Sequence, residues 1–110
     1  LDVAVDIRKG SPTFGKHVAV KLTGDNKKQL LVPRGFAHGF IVLEDNTTFV
    51  YKVDSYYSPE NDRGIAFDDE ALGIDWMLEH SELNLSAKDT TQPKLADTQD
   101  IFEYGVNYYE

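Results

Sequence analysis

Apolar and polar residues alternate strictly over residues 2–8. Val3, Val5 and Ile7 fall on one side of an extended chain, and Asp2, Asp6 and Arg8, with Ala4, on the other. A period of two predicts a half-buried β-strand. The turn-rich stretch KGSPTFG, residues 9–15, leads to a second alternating run at 17–22. That run places Val18, Val20 and Leu22 inward and His17 and Lys21 outward. Residues 23–28 are polar and read as a turn, and 29–32 as a short strand. At Pro33, Arg34 and Gly35 proline fixes one backbone angle and glycine accepts angles other residues avoid, so a turn is expected.

Next comes an apolar run at 36–43 with His38 inside it, a polar tip at Glu44, Asp45 and Asn46, and a second β-rich run at 47–53. This predicts an antiparallel hairpin. With Asp45 and Asn46 at the tip, Glu44 faces Thr47, Val42 faces Phe49 and Phe40 faces Tyr51. His38 then shares a face with Tyr51, one diagonal step of roughly 7–8 Å away. An imidazole and a phenol on one otherwise apolar face are equipped for proton chemistry. Lys52 alternates to the opposite face.

The remaining chain reads as a loop at 54–63 with Tyr56, Tyr57 and Pro59, a short strand at 64–68, one helical turn at 69–73 and an extended end at 74–76. Periodicity fades after Met77. A short helix or turn within 81–89 places Lys88 and Asp89, and 90–110 is an irregular acidic tail. Tyr104, Tyr108 and Tyr109 predict that this tail packs. Six short strands at intervals of roughly 8–14 residues, with hardly any helix, indicate an all-β sandwich or barrel.

Composition narrows the picture. A chain of 110 residues with 41% hydrophobic and 12% aromatic residues is a single folded domain. The absence of cysteine rules out a disulfide framework and thiolate metal sites, and fits a cytoplasmic protein. No apolar run reaches the roughly 18–20 residues of a membrane helix, and no signal peptide opens the chain. A net charge of −8 argues against nonspecific nucleic-acid binding but leaves room for a nucleotide in a locally positive pocket. Leu1 is no initiator, and the first residues read as mid-strand, so a partial chain is expected.

Five motifs in order, VPRGFAHGF, FVYK, YYSPENDRGI, ALGIDW and LSAKD, resemble the dTDP-4-dehydrorhamnose 3,5-epimerase family over about residues 1 to 97. The resemblance implies a cupin-type jelly roll, here partial and lacking the family's N-terminal strands. It divides the chain into a jelly-roll core and C-terminal segment at 1–97 and an acidic aromatic tail at 98–110. Family members are homodimers that exchange strands. They convert dTDP-4-keto-6-deoxy-glucose to dTDP-4-keto-rhamnose by epimerisation at C3 and C5. No cofactor is needed, because the substrate's ketone acidifies its α-protons.

Such epimerisation requires a base, an acid on the opposite face and stabilisation of the enolate. By resemblance the acid is Tyr51, and Asp89 is the carboxylate that orients the basic histidine. That histidine belongs to an LRGLHYQ-like segment which the family carries upstream and which these residues do not include. The 110-residue chain alone is therefore expected to be inactive. His38 corresponds to a substrate contact, Lys88 to a lysine holding the diphosphate or sugar, and Tyr57 to a ring stacked on thymine. Asp62 corresponds to a substrate-contacting glutamate, with Glu60 competing for the role. Each has an ordinary counterpart: a core tyrosine or histidine, a solvated lysine, a turn aspartate, loop packing. Arg34, Lys52 and the segment 68–76 read as structural.

Two other classes remain open. PRGFAH also fits the P-x-G-x-x-H pattern of metal-dependent cupins, but such sites need two or three histidines, and His17 and His80 stand apart from His38. A chain without the base is alternatively a non-catalytic nucleotide-sugar binder.

Overall fold

The computed structural model describes residues 1–110. Its five strands are β1 (Asp2–Asp6), β2 (Arg8–Lys9), β3 (His17–Val20), β4 (Phe36–Phe40) and β5 (Phe102–Glu103). There is no α-helix, only four single 3-10 turns, at Pro59–Asn61, His80–Glu82, Lys88–Thr90 and Leu95–Asp97. The fold is all-β.

β1 lies between β3 and β4, antiparallel to both. Ala4 is opposite His38 and Val18, and Asp2 is opposite Phe40 and Val20. Directly opposed residues of antiparallel strands point to the same side. One face therefore carries Asp2, Ala4 and Asp6 with Phe36, His38, Phe40, Val18 and Val20. The other carries Val3 and Val5, with Ala37, Gly39 and His17. Apolar residues from later in the chain close the second face: Leu72 and Leu95 join Val3, Val5 and Ile7, with Ile65, Ile74, Trp76 and Phe102 around them.

The alternation of residues 2–8 survives, but the strand is not half-buried. Residues from Asp2 to Ile7 are all buried because β1 has a neighbour on each edge and cover on its apolar face. Two carboxylates are thus buried in a central strand, where each needs a partner. Asp6 takes Arg8 as a bidentate partner at 2.9 and 2.8 Å and accepts hydroxyl bonds from Ser11 at 2.6 Å and Thr13 at 2.5 Å. The Arg8 guanidinium, followed by those hydroxyls, holds the Asp6 carboxyl far below the usual carboxylate range.

In β3 the expected sides are reversed in burial. Val18 is 54% exposed, while His17 is half-buried on the side of Val5. Alternation specifies which residues share a face. Which face is covered depends on where the 65–102 segment packs.

The expected strands at 29–32, 47–53 and 64–68 do not form. A strand exists by its ladder, and residues 42–57 make no backbone–backbone hydrogen bond; Ala66 donates one to Pro93 and accepts one from Asp69, neither part of a ladder. The helical turn at 69–73 is a turn closed by Leu72 N–H on Asp69. The expected element within 81–89 resolves into two 3-10 turns at the ends of that span, the second holding Lys88 and Asp89. The tail packs, as its tyrosines implied. β5 pairs in parallel with β2, and Tyr104 N–H donates to Lys9.

The turn before β4 forms at Arg34 and Gly35. Gly35 has φ +95°, and a Cβ there would lie 2.8 Å from the Arg8 side chain, so glycine is required for both reasons.

Candidate active site

β4 presents His38 between Phe36 and Phe40. Register places it opposite Ala4 and one step from Asp2. The His38 Nε2 lies 2.5 Å from the Asp2 carboxylate. Asp2 is buried, while about a third of the His38 side chain, 35%, remains open. A carboxylate on one ring nitrogen orients the imidazole and leaves Nδ1 for a ligand. Sequence reading gave Asp2 no role. The signal was present: an acid on the same face of a strand as a chemically active histidine of another element.

An aromatic row extends from His38. Phe40 stacks on Phe49 with centroids 3.8 Å apart, His38 lies 6.4 Å from both rings, and Phe49 meets Tyr51 at 5.5 Å. His38 and Tyr51 do share one face, but Phe49 stands between them. The expected pairing of Phe40 with Tyr51 and Val42 with Phe49 is replaced by Phe40 on Phe49. With no ladder bonds over 42–57, ring stacking sets the register. The tip itself is where expected, with Asn46 in the left-handed region at φ +59°. Tyr51 is 69% exposed.

On the other side of the sheet, a cavity of about 750 Å³ is lined by Asp62, Lys88 and Asp89 and by the β4 stretch 36–39, with apolar walls from Val3, Ile65 and Trp76 among others. Tyr51, Tyr57 and Glu60 do not line it. Between the two neighbouring acids, Asp62 is thus the one directed to the cavity. It pairs with Lys88, Nζ to Oδ2 at 2.6 Å. The Lys88 ammonium holds Asp62 below the usual carboxylate range, with smaller help from Arg63 and the Tyr57 hydroxyl, and Asp62 in turn raises Lys88. Tyr57 is 76% exposed and approaches the site by that hydroxyl. The Asp89 carboxylate accepts no hydrogen bond; its backbone N–H is held by Ser86. Of the residues expected from sequence, the cavity gathers Asp62, Lys88 and Asp89; β4 borders it at His38, whose imidazole turns to Asp2 on the opposite face. Tyr51 sits at the end of the aromatic row and Tyr57 at the rim.

No three histidine, aspartate or glutamate side chains converge as a metal cage would require. His80 stacks on Phe67 at 5.6 Å, 3.9 Å from Asp68, and His17 faces away from His38 across the sheet.

The family model of dTDP-4-dehydrorhamnose 3,5-epimerase matches residues 1–97. The chain is 54% identical over 95 residues to a dTDP-4-dehydrorhamnose 3,5-epimerase of Salmonella typhimurium, covering 86% of this chain and 51% of that one. An Escherichia coli protein of the same name is 57% identical over 88 residues, covering 80% and 47%. Among solved structures, a Legionella pneumophila 3,5-epimerase in complex with dTDP-4-keto-L-rhamnose superposes with a TM-score of 0.82 at 40% identity, over 96% of this chain and 56% of that one. An epimerase of Mycobacterium tuberculosis superposes with a TM-score of 0.87 at 36% identity, over 94% and 54%. These structures share the cupin-like jelly roll, and the sheet described above is part of that fold. The chain spans about half the length of the curated relatives it matches. Its sequence and its fold make the chain a member of the dTDP-4-dehydrorhamnose 3,5-epimerase family.

Proposed function

We propose that this chain forms part of a cytoplasmic, homodimeric isomerase that epimerises dTDP-4-keto-6-deoxy-glucose at C3 and C5 to dTDP-4-keto-rhamnose. The observation that carries the reading is the family match over 1–97, which includes the strand bearing His38 and its partner Asp2. In this mechanism the substrate ketone acidifies the adjacent protons, so no cofactor takes part. The His38–Asp2 pair offers a hydrogen bond to a substrate oxygen where negative charge develops. Tyr51 returns a proton from the face opposite the base. Asp89 orients the basic histidine, which the family carries in an upstream segment. Lys88 exchanges Asp62 for the substrate's diphosphate or sugar hydroxyls, and Tyr57 stacks on the thymine.

The test is to incubate the chain with dTDP-4-keto-6-deoxy-glucose in deuterium oxide and follow C3 and C5 by NMR. The family's histidine-bearing segment is supplied on the same polypeptide or as a second one. Deuterium at both carbons and a rhamnose-configured product are expected. No exchange in either format overturns the proposal.

A second reading, binding without turnover by the 110-residue chain alone, is favoured by Asp89, whose carboxylate has no histidine beside it while His38 is committed to Asp2. An ordinary carboxylate titrates near 4 and is a poor proton acceptor for this task at neutral pH. The same experiment on the chain alone should give no exchange. Exchange above a denatured control would instead show that the chain carries a base of its own.

A further inference from the structure

Residues 42–57 carry both Tyr51 and Tyr57, yet have no backbone–backbone hydrogen bond to hold them. Apart from the rings on Phe49 and the approach of the Tyr57 hydroxyl to Asp62, the hold on it comes from Arg34. Arg34 donates Nη2 to the Asp54 carboxylate at 2.9 Å and to Ser55 Oγ at 3.5 Å. Arg34 is itself gripped by the end of the chain. Its Nη1 donates to the Tyr108 carbonyl at 2.5 Å, and its backbone N–H donates to the Tyr109 hydroxyl at 2.9 Å. Its guanidinium lies over the Tyr109 ring, 4.9 Å from the centroid.

The gripping segment is in turn tied down. β5 pairs with β2, Phe102 packs edge-on to Tyr108 at 4.7 Å, and Glu103 N–H donates to the Tyr108 hydroxyl at 2.8 Å. Tyr104 covers the Arg8 guanidinium, which is bonded to buried Asp6. A continuous set of contacts thus joins the central strand, the terminal tyrosines, Arg34 and Asp54. Tyr57 follows Asp54 by three residues, a reach of about 10 Å in extended chain. Anchoring Asp54 therefore limits where the Tyr57 ring can lie. A planar fork is needed to serve Tyr108 and Asp54 together, which a lysine ammonium on a flexible stem does less well.

We propose that residues 102–109 act through Arg34 as a strap that positions the loop of Tyr56 and Tyr57 for substrate, which makes Arg34 a positioning residue. This rests on the reading of Tyr57 as a nucleotide contact. The first measurement is cleavage by the lysine-specific protease Lys-C in the folded 110-residue protein. Lys52 lies two residues before Asp54, and Lys27 and Lys28, in a separate turn, serve as internal controls. Arg34→Gln, and separately removal of residues 104–110, should speed cleavage after Lys52 by about fivefold or more, since proteolysis follows the population of the opened segment. Rates at Lys27 and Lys28 should not change. Equal acceleration at all three lysines means general destabilisation and overturns the strap, as does no acceleration at Lys52.

The second measurement is dTDP binding by calorimetry. Arg34→Gln and Tyr57→Ala should each weaken it by about fivefold, and the double variant by little more than either, as residues acting through one another do. Additive losses overturn the positioning role. If the unaltered protein binds no dTDP, the role in substrate binding falls together with the nucleotide-contact reading, and the Lys52 rates alone decide whether the strap exists.

Discussion

The two faces of β1 are closed in different ways. Val3, Val5 and Ile7 meet Leu72, Leu95 and their neighbours, so that side is an apolar cluster. Asp2 and Asp6 point the other way, beside His38 and an aromatic row that remains largely open. The central strand can carry two acids because each has a dedicated cationic or ionisable partner, Arg8 for Asp6 and His38 for Asp2. The apolar face carries the core and, at its margin, the cavity of Asp62, Lys88 and Asp89, while the opposite face carries the His38–Asp2 pair. The acids link the two: one stiffens the strand, and its neighbour at the far end aims the imidazole.

Tyr51→Phe separates the faces most sharply. In an active format, product formation should fall by about 10²–10⁴-fold, the usual worth of general acid catalysis. The unfolding midpoint should stay unchanged, since Tyr51 is mostly exposed. Deuterium uptake by substrate should outlast product formation. Wild-type product rates would remove Tyr51 from the mechanism.

Asp6→Ala should do the reverse, by leaving Arg8 without its partner inside the fold. The loss is to be read from urea unfolding as a lowered midpoint. An unshifted midpoint would mean that the cluster with Ser11 and Thr13 contributes nothing to stability. Leu72→Ala, in the apolar cluster, should cost about 2–5 kcal/mol by leaving unfilled space. A loss well under that range would show the cluster to be loosely packed.

Acid should affect the same region. The Asp6 pKa is depressed in the folded state, so its stabilisation is fully present above the unfolded value near 4 and is lost as pH falls below it toward the folded value. Chemical denaturation at a series of acid pH values should show stability declining below about pH 4 in the wild type. The decline should be shallower in Asp6→Asn, and equal slopes in the two proteins would contradict the assignment. Smallest is Phe49→Ala on the open face. An aromatic pair adds about 0.5–1.5 kcal/mol beyond area burial, so the stability change should be modest. Tyr51 should lose its ordered position, visible as a loss of contacts between the rings of Tyr51 and His38's neighbours in NOE spectra. Unchanged contacts would show that something other than Phe49 holds the row.

Residue order by itself determined a good deal. Alternation at 2–8 put Val3, Val5 and Ile7 together, Pro33 and Gly35 marked the turn into the His38 strand, and the tip at Asp45 and Asn46 was legible. All of these depend on local backbone preferences and side-chain period, which act over a few residues. The motifs around His38, Tyr51 and Lys88 also indicated the family. Tertiary structure alone decided which face of β3 is covered, that 47–53 lies beside the sheet without joining its ladder, and that Phe40 meets Phe49. It also decided the partnerships of Asp2 with His38, Asp62 with Lys88 and Arg34 with the terminal tyrosines. Those pairings join residues 26 to 75 positions apart. No local preference encodes them, because the desolvation that forces a buried charge to find a partner begins only once the chain has packed.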